Sequence, residues 1–318
     1  MKKYYTRACN FHYGGNSRNL VNNKKALPLN GNLDISFDYI EILSRNSKKL
    51  IHLNEIKNLP LQIKKKVNKD LKILVKRKKN FSNLNFKKLP NIIGVLNLTP
   101  DSFSDGGKFN KKKLAKAHIK KLLNDGAEII DIGGESTRPG SKDISTKLEW
   151  NRLRSAIQYL CKQNCFVSLD TRKGLIMKKS LPYKINLIND VSGLSYDENT
   201  IDFLKNSKIP FVLHHMKGTP KTMQIRPNYK NVLLDLYDFF EEKLHLIRKK
   251  GIKHNNIILD PGIGFGKNLK HNMNLIRSVS IFHTLGFPIL LGLSRKRFIK
   301  DLSGKNDSKE RIGGTVAS

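Results

Sequence analysis

The sequence has only three cysteines among its 318 residues (Cys9, Cys161 and Cys165), too few for a disulfide framework. Cys161 and Cys165 are spaced C-x3-C with no matching ligands nearby, which is not the pattern of a zinc site. Long apolar runs are missing too. No stretch of about eighteen apolar residues occurs, so no membrane span is expected. The N-terminal MKKYYTRACNFHYGG is basic but lacks the apolar core of a secretory signal. These absences point to a reducing cytoplasm.

Acidic residues are scarce: 26 Asp and Glu stand against 60 Lys and Arg, a formal net charge of +34. The excess is spread out, with 21 basic against 5 acidic residues in 1–90 and 39 against 21 in 91–318. Aromatics are not interleaved with the lysines, so the excess reads as lysine-rich solvated faces and not as a nucleic-acid-binding surface. A diffuse positive field still helps to collect anionic substrates. A hydrophobic fraction of 38% and a charged fraction of 27% are those of a globular chain. Its length accommodates a barrel of roughly 250 residues and an appendage.

Three regions differ in texture. Residues 1–60 carry aromatics, glycines and short apolar runs such as LDISFDYIEIL (33–43), and predict a small element with a strand or two. Residues 61–88 are lysine-rich and predict an exposed basic helix followed by a linker. We therefore divide the chain into a basic extension, 1–88, of no evident role, and a catalytic domain, 89–318.

From Asn91 onward short apolar runs alternate with stretches of helical periodicity. The runs are NIIGVLN (91–97), EIIDIGG (128–134), FVSLD (166–170), NLIND (186–190), PFVLHH (210–215), NIILD (256–260) and PILLGLS (288–294). Helices are predicted between them, for example over 111–125, 147–163 and 232–251. Such alternation implies a parallel sheet buried on both faces. Asn97, Asp131, Asp170, Asn189, Asp190, His214, His215, Asp260 and Ser294 all fall at the C-terminal ends of the runs. A closed barrel gathers every strand end at one mouth, whereas an open sheet gathers only those at its switch point, so the pattern predicts an α/β barrel of the TIM type. Seven strands can be counted. The eighth is missing from the sequence, which closes on ERIGGTVAS, read as a helix.

The loops carry the chemistry. NLTPDSFSDGG (97–107) follows the first strand. The Asn97 amide offers its oxygen to a cation or its NH2 to an anion, and Phe103 suits an aromatic substrate. DIGGESTRPG (131–140) follows the second strand, where paired glycines admit close approach of a ligand and Arg138 is a candidate clamp for phosphate or carboxylate. Asp170, Asn189 and Asp260 suit a planar nitrogen-rich ring, with metal ligation the rival for the two aspartates and helix capping the plain reading of Asp170. Asp190 reads as a supporting or capping residue. His214 and His215 point opposite ways on a strand, so at most one faces the mouth. DPGIGFGK (260–267) lacks Walker spacing. In SRKRF (294–298), Ser294, Arg295 and Lys296 occupy the place where barrels often bind phosphate, and Lys296 equally suits a carbonyl oxygen.

In order and spacing, GVLNLTPDSFSDGG, GAEIIDIGGESTRPG, SLDT, INDVSG, HHMKGTPKTMQ, DPGIGFGK and LSRKRF resemble the signature of the dihydropteroate synthases over residues 91–318. The resemblance implies a transferase of folate biosynthesis that joins p-aminobenzoate to (7,8-dihydropterin-6-yl)methyl diphosphate with Mg2+. It places Asp170, Asn189, Asp260 and Lys296 on the pterin and Asn97 on the metal. It also sets Thr137 and Arg138 near the anionic groups, and Phe103, Asp105, Pro139, Ser294 and Arg295 around p-aminobenzoate. Asp105, Arg138 and Lys296 would serve the chemistry itself. It further implies a homodimer that takes small-molecule substrates. The family's eighth strand, with an Arg–x–His segment on the diphosphate, is not present. The alternatives are a pterin-dependent methyltransferase of the same fold and an impaired homologue retained for binding.

Overall fold

The computed structural model of the chain describes residues 2–78, 90–99, 112–137, 140–219, 222–223, 227–304 and 306–317. They form two compact units. The first joins the N-terminal 79 residues to 230–241 and 274–289, and the second holds the rest.

In the first unit, β1 (Tyr5–Tyr13) leads through α1 (Gly14–Asn22) and β2 (Leu27–Leu29) to the long β3 (Asn32–Leu43), then β4 (Lys48–His52), a 3-10 helix (Leu53–Asn58) and α2 (Leu61–Val75). All pairing is antiparallel. β3 is central, with β1 along one edge and β2 and β4 end to end along the other. The N-terminal region thus holds four strands where its sequence predicts one or two. Helix α2 differs from expectation more sharply. Its lysines do face outward, but Val67 and Leu74 are fully buried with Phe37, Ile40 and Ile51, and Ile63 and Leu71 pack on the same cluster. Positions 63, 67, 71 and 74 repeat at helical spacing, so α2 is a core element under a charged coat and not an exposed tether. Burying its two core side chains contributes about 1.5–3 kcal/mol each.

Later segments complete this unit. Tyr237 meets Tyr5 edge-on at 5.1 Å. The Asp238 carboxylate accepts from Tyr5 Oη at 2.9 Å and from Lys3 Nζ at 2.6 Å, and Arg45 pairs with both Asp235 and Asp238. Ser280 Oγ donates to the Ala8 carbonyl at 2.9 Å.

The second unit repeats strand and helix. Its strands are β5 (Ile93–Asn97), β6 (Ile129–Gly133), β7 (Phe166–Asp170), β8 (Leu187–Asp190), β9 (Phe211–His214) and β10 (Ile257–Asp260). The intervening helices are α3 (Lys112–Asn124), α4 (Thr146–Leu160), α5 (Gly174–Ser180), α6 (Asn199–Ser207) and α7 (Val232–Lys249), of which α7 begins in the first unit. They are followed by α8 (Leu269–Arg277), a 3-10 helix (Val279–Leu285), α9 (Arg297–Ser303) and α10 (Ile312–Ala317). Local signals set the ends. Ser145 Oγ accepts from Leu148 N–H at 3.2 Å to cap α4, and Gly304, at φ +69°, stops α9.

All six strands are parallel and pair in sequence order, β5 to β10. Among the described residues the order does not reverse and makes no switch point, so the topology is that of a barrel and not of a doubly wound sheet. Ile93, Ile129, Phe166, Leu187, Val212 and Ile258, one from each strand, form a single cluster with Leu290. The opposite face is buried as well, through Ile130, Val167, Ile188, Phe211 and Leu259.

The expected seventh strand, 288–294, is a correction. Among the described residues only Ile289 makes an isolated bridge, and Leu290 N–H donates to the Leu259 carbonyl at 2.9 Å. Pro288 supplies no ladder donor, and Leu291 and Ser294 are exposed, so the run lies along β10 without forming a ladder.

Candidate active site

Period two along each strand carries the apolar interior cluster into a polar layer. Two residues beyond its members stand Asp131, Ser168, Asn189, His214 and Asp260, and beyond these, on β5 to β7, Asn97, Gly133 and Asp170. Of the four positions expected to hold a ring, Asp170, Asn189 and Asp260 are therefore brought to the C-terminal end of one barrel, and the fourth, Lys296, stands at the start of α9.

Asn189 Nδ2 donates to Asp131 Oδ2 at 3.0 Å, and Ser168 also bonds this carboxylate. Among the described residues, Asp131 Oδ1 and Asn189 Oδ1 are buried without a hydrogen-bond partner. Such acceptors are costly unless a ligand supplies donors. Gly133 matters here because a side chain would fill the site: a Cβ on it would lie 3.1 Å from Asp170 Oδ2 and 3.3 Å from Asn97 Oδ1.

The charges are held far from their ordinary values. Burial, then the negative charges of Asp131, Glu149 and Asp190, raises the Asp170 carboxyl well above the usual range. Burial likewise raises Asp131 to about 6, against the hydrogen bonds from Ser168 and Asn189. Burial lowers Lys296 to about 8, with Asp260 opposing. The Lys296 ammonium donates to the Ile263 carbonyl and lies 4.7 Å from the Phe265 ring centroid.

Both histidines are spent on structure. His214 Nδ1 bonds the Val191 carbonyl at 2.8 Å, its ring meets Phe265 edge-on, and burial lowers it to about 4. His215 points the other way and meets Lys267 Nζ at 3.0 Å. Asp170 caps no helix, since Lys173 occupies that position on α5. Asp190 closes the turn after β8, accepting from Ser192 N–H at 2.8 Å.

Four site expectations, Phe103, Asp105, Arg138 and Pro139, lie outside the described residues. Thr137 is half-buried at the end of the second loop, and Ser294 is exposed. Arg295, at φ +56°, donates its N–H to Thr315 Oγ1 at 3.0 Å.

One feature has no local sequence signal. Beneath the second loop, Lys173 Nζ bridges Glu135 Oε1 at 2.9 Å and Glu149 Oε2 at 2.7 Å, Arg172 pairs with Glu135 at 2.7 Å, and Thr171 Oγ1 donates to Glu149 at 2.6 Å. Burial pushes the Glu135 carboxyl up, but the Ile144 N–H, Lys173 and Arg172 outweigh it and hold it below the usual range. This network fixes the start of the segment that carries Thr137. Asp131, by contrast, had a legible signal, a carboxylate at an inward position of the apolar run EIIDIGG.

A model of the pterin-binding enzymes matches residues 93–318. The dihydropteroate synthase of Neisseria meningitidis serogroup B is 42% identical over 235 residues, covering 72% of this chain and 82% of that protein. The chain belongs to the dihydropteroate synthase family. Among solved structures, that of the Yersinia pestis dihydropteroate synthase with a sulfonamide drug complex matches with a TM-score of 0.68 at 38% identity, covering 72% of this chain and 82% of that one. That of the Xanthomonas albilineans dihydropteroate synthase in complex with 7,8-dihydropteroate matches with a TM-score of 0.63 at 32% identity, covering 72% and 81%. Membership of the dihydropteroate synthase family makes the chain a transferase of folate biosynthesis with a TIM-type barrel. No helix among the described residues is long and apolar enough to cross a membrane.

Proposed function

We propose that this chain condenses p-aminobenzoate with (7,8-dihydropterin-6-yl)methyl diphosphate to give 7,8-dihydropteroate and diphosphate. The observation that carries this reading is the buried layer of acceptors, Asp131 Oδ1 and Asn189 Oδ1, unsatisfied by the described protein groups and adjoined by Asp170 and Asp260. A pterin presents ring N–H and amino donors along one edge, which match such a layer. Lys296, beside Asp260 in its electrostatics, would donate to the ring's acceptor side.

In the reaction the methylene C–O bond breaks, its electron pair leaves with the diphosphate, and the arylamine nitrogen forms the new C–N bond and then gives up one N–H proton to solvent or to the departing diphosphate. The amine is neutral near pH 7 and needs no strong base, which fits two histidines engaged in structure. Asn97 Oδ1, beside Asp170 Oδ2 over the bare Gly133, fits Mg2+, an ion held by one or two protein oxygens together with substrate phosphates and water. When bound, the ion would neutralise charge on the departing diphosphate. Thr137 and Arg138 would hold the anionic groups. Phe103, Asp105, Pro139, Ser294 and the stem of Arg295 would enclose p-aminobenzoate. Residues 89–318 would form the catalytic domain, with 1–88 in support. Three unpaired cysteines fit a cytoplasmic enzyme, and the family suggests a homodimer, which sedimentation of the full chain would read.

Diphosphate release by the full chain is expected to require both substrates together. Release without p-aminobenzoate would overturn the condensation. The pH profile follows from the site. Below about 6 the Asp131 carboxyl is protonated and its support of the acceptor layer is lost; above about 8 Lys296 loses its charge. The value of kcat/KM for the pterin diphosphate should therefore be highest between these limits and fall on both sides. A profile flat from about pH 5 to about pH 9 would contradict the assignment.

A further inference from the structure

Lysine 267 ends the DPGIGFGK run and is buried, yet no part of the mechanism uses it. Its Nζ lies 2.9 Å from the Gly262 carbonyl, 2.9 Å from the Phe265 carbonyl, 3.4 Å from the His215 carbonyl and 3.0 Å from His215 Nδ1. All of these partners are groups of the protein, so the amine is engaged within the fold and not at a substrate. What these bonds hold is a segment that would otherwise be loose: Gly262, Gly264 and Gly266 all sit at positive φ, and glycine gives a backbone little intrinsic stiffness. The end of β9 presses against it, since a Cβ on Gly262 would come within 2.0 Å of the His215 carbonyl. Tyr229 Oη adds a second tether, donating to the Gly266 carbonyl at 2.9 Å.

This segment in turn places Lys296. Its Ile263 carbonyl accepts from Lys296 Nζ, its Phe265 ring lies under the ammonium, and its Gly264 leaves room for the Lys296 stem, where a Cβ would stand 3.2 Å from Lys296 Cδ. We infer that Lys267 is a positioning residue for the pterin pocket, which acts by locking the 262–266 loop to the end of β9 so that Lys296 is held at the ring. The inference rests on the synthase reading of the site and adds a residue to it.

The test compares Lys267→Met, which keeps the reach and loses every donor, with the milder Tyr229→Phe in the full chain. With Lys267→Met the KM for the pterin diphosphate should rise about tenfold, the loss of roughly one or two buried hydrogen bonds. The KM for p-aminobenzoate should stay where it is and kcat should change little. Tyr229→Phe should give the same pattern at smaller size, and the double variant should fall short of the product of the two, because both tethers serve one loop. A merely structural role would instead reduce the active fraction and leave both KM values untouched. An unchanged pterin KM in Lys267→Met, or a parallel rise in both KM values, overturns the inference. If that variant does not fold, an unchanged pterin KM in Tyr229→Phe overturns it. Calorimetric titration of the wild type and variants with the pterin diphosphate alone measures the same effect without turnover. A wild type that binds the pterin and makes no product would thus count against the synthase reading and not against Lys267.

Discussion

A chain that begins at residue 90 is expected to be recovered unfolded or insoluble. The N-terminal residues share a compact unit with 230–241 and 274–289, and within it Tyr237, Ile281 and Phe282 are almost wholly buried. Exposing large apolar side chains costs about 1.5–3 kcal/mol each, so losing the cover of these three approaches the whole stability of roughly 5–15 kcal/mol typical of a folded protein. The Asp235 and Asp238 carboxylates would lose Arg45, Lys3 and Tyr5 at the same time. Far-UV circular dichroism and a thermal melt decide the matter. A soluble shortened chain that melts cooperatively within a few degrees of the full one would show that residues 1–78 are dispensable to the fold.

Asp170→Asn is expected to lower kcat/KM for the pterin diphosphate by about a hundredfold while raising Tm. Among the described residues no protein donor bonds the Asp170 carboxylate, so its removal costs the fold no hydrogen bond. A ring donor facing it would lose a charged acceptor in a buried site, worth about 1.5–3 kcal/mol. The stability sign follows from the raised pKa. A carboxyl whose folded pKa lies above its unfolded value contributes stability that is present at low pH and lost as pH rises through the folded pKa. Burial and repulsion from Asp131, Glu149 and Asp190 thus disfavour the charged form in the fold, a penalty the neutral amide does not carry. The gain in Tm should shrink as the pH is lowered toward the ordinary carboxylate range, where the unfolded chain is protonated as well. A fall in both activity and Tm at neutral pH would mean that Asp170 serves the fold and not the ligand.

How far these features were legible depends on the range of the interactions behind them. The six strands follow from short apolar runs of β-branched residues closed by a polar residue, a local signal, and their boundaries in the structure lie within two residues of the sequence reading. The barrel was legible because polar residues stand at the ends of the runs throughout, among them Asn97, Asp170, Asn189 and Asp260 on the first, third, fourth and sixth. The run 288–294 carried the same signal but gains only a single bridge, since a ladder needs a partner and not only propensity. Helix α2 misled in the other direction. Its lysines dominate its composition, whereas its fate is set by four apolar positions and by a sheet that only the tertiary fold supplies. The Glu135–Lys173–Glu149 bridge and the Lys267–His215 contact join residues far apart in sequence, and no window of sequence shows that they meet.

The measurement that bears most directly on the whole account is product analysis on the full chain incubated with p-aminobenzoate, (7,8-dihydropterin-6-yl)methyl diphosphate and Mg2+, with Asp170→Asn in parallel. The wild type is expected to form 7,8-dihydropteroate and diphosphate in equal amounts, and the variant to form them about a hundredfold more slowly at limiting pterin substrate. Equal rates from the two proteins, or methyl transfer from a pterin in place of condensation, would contradict the account.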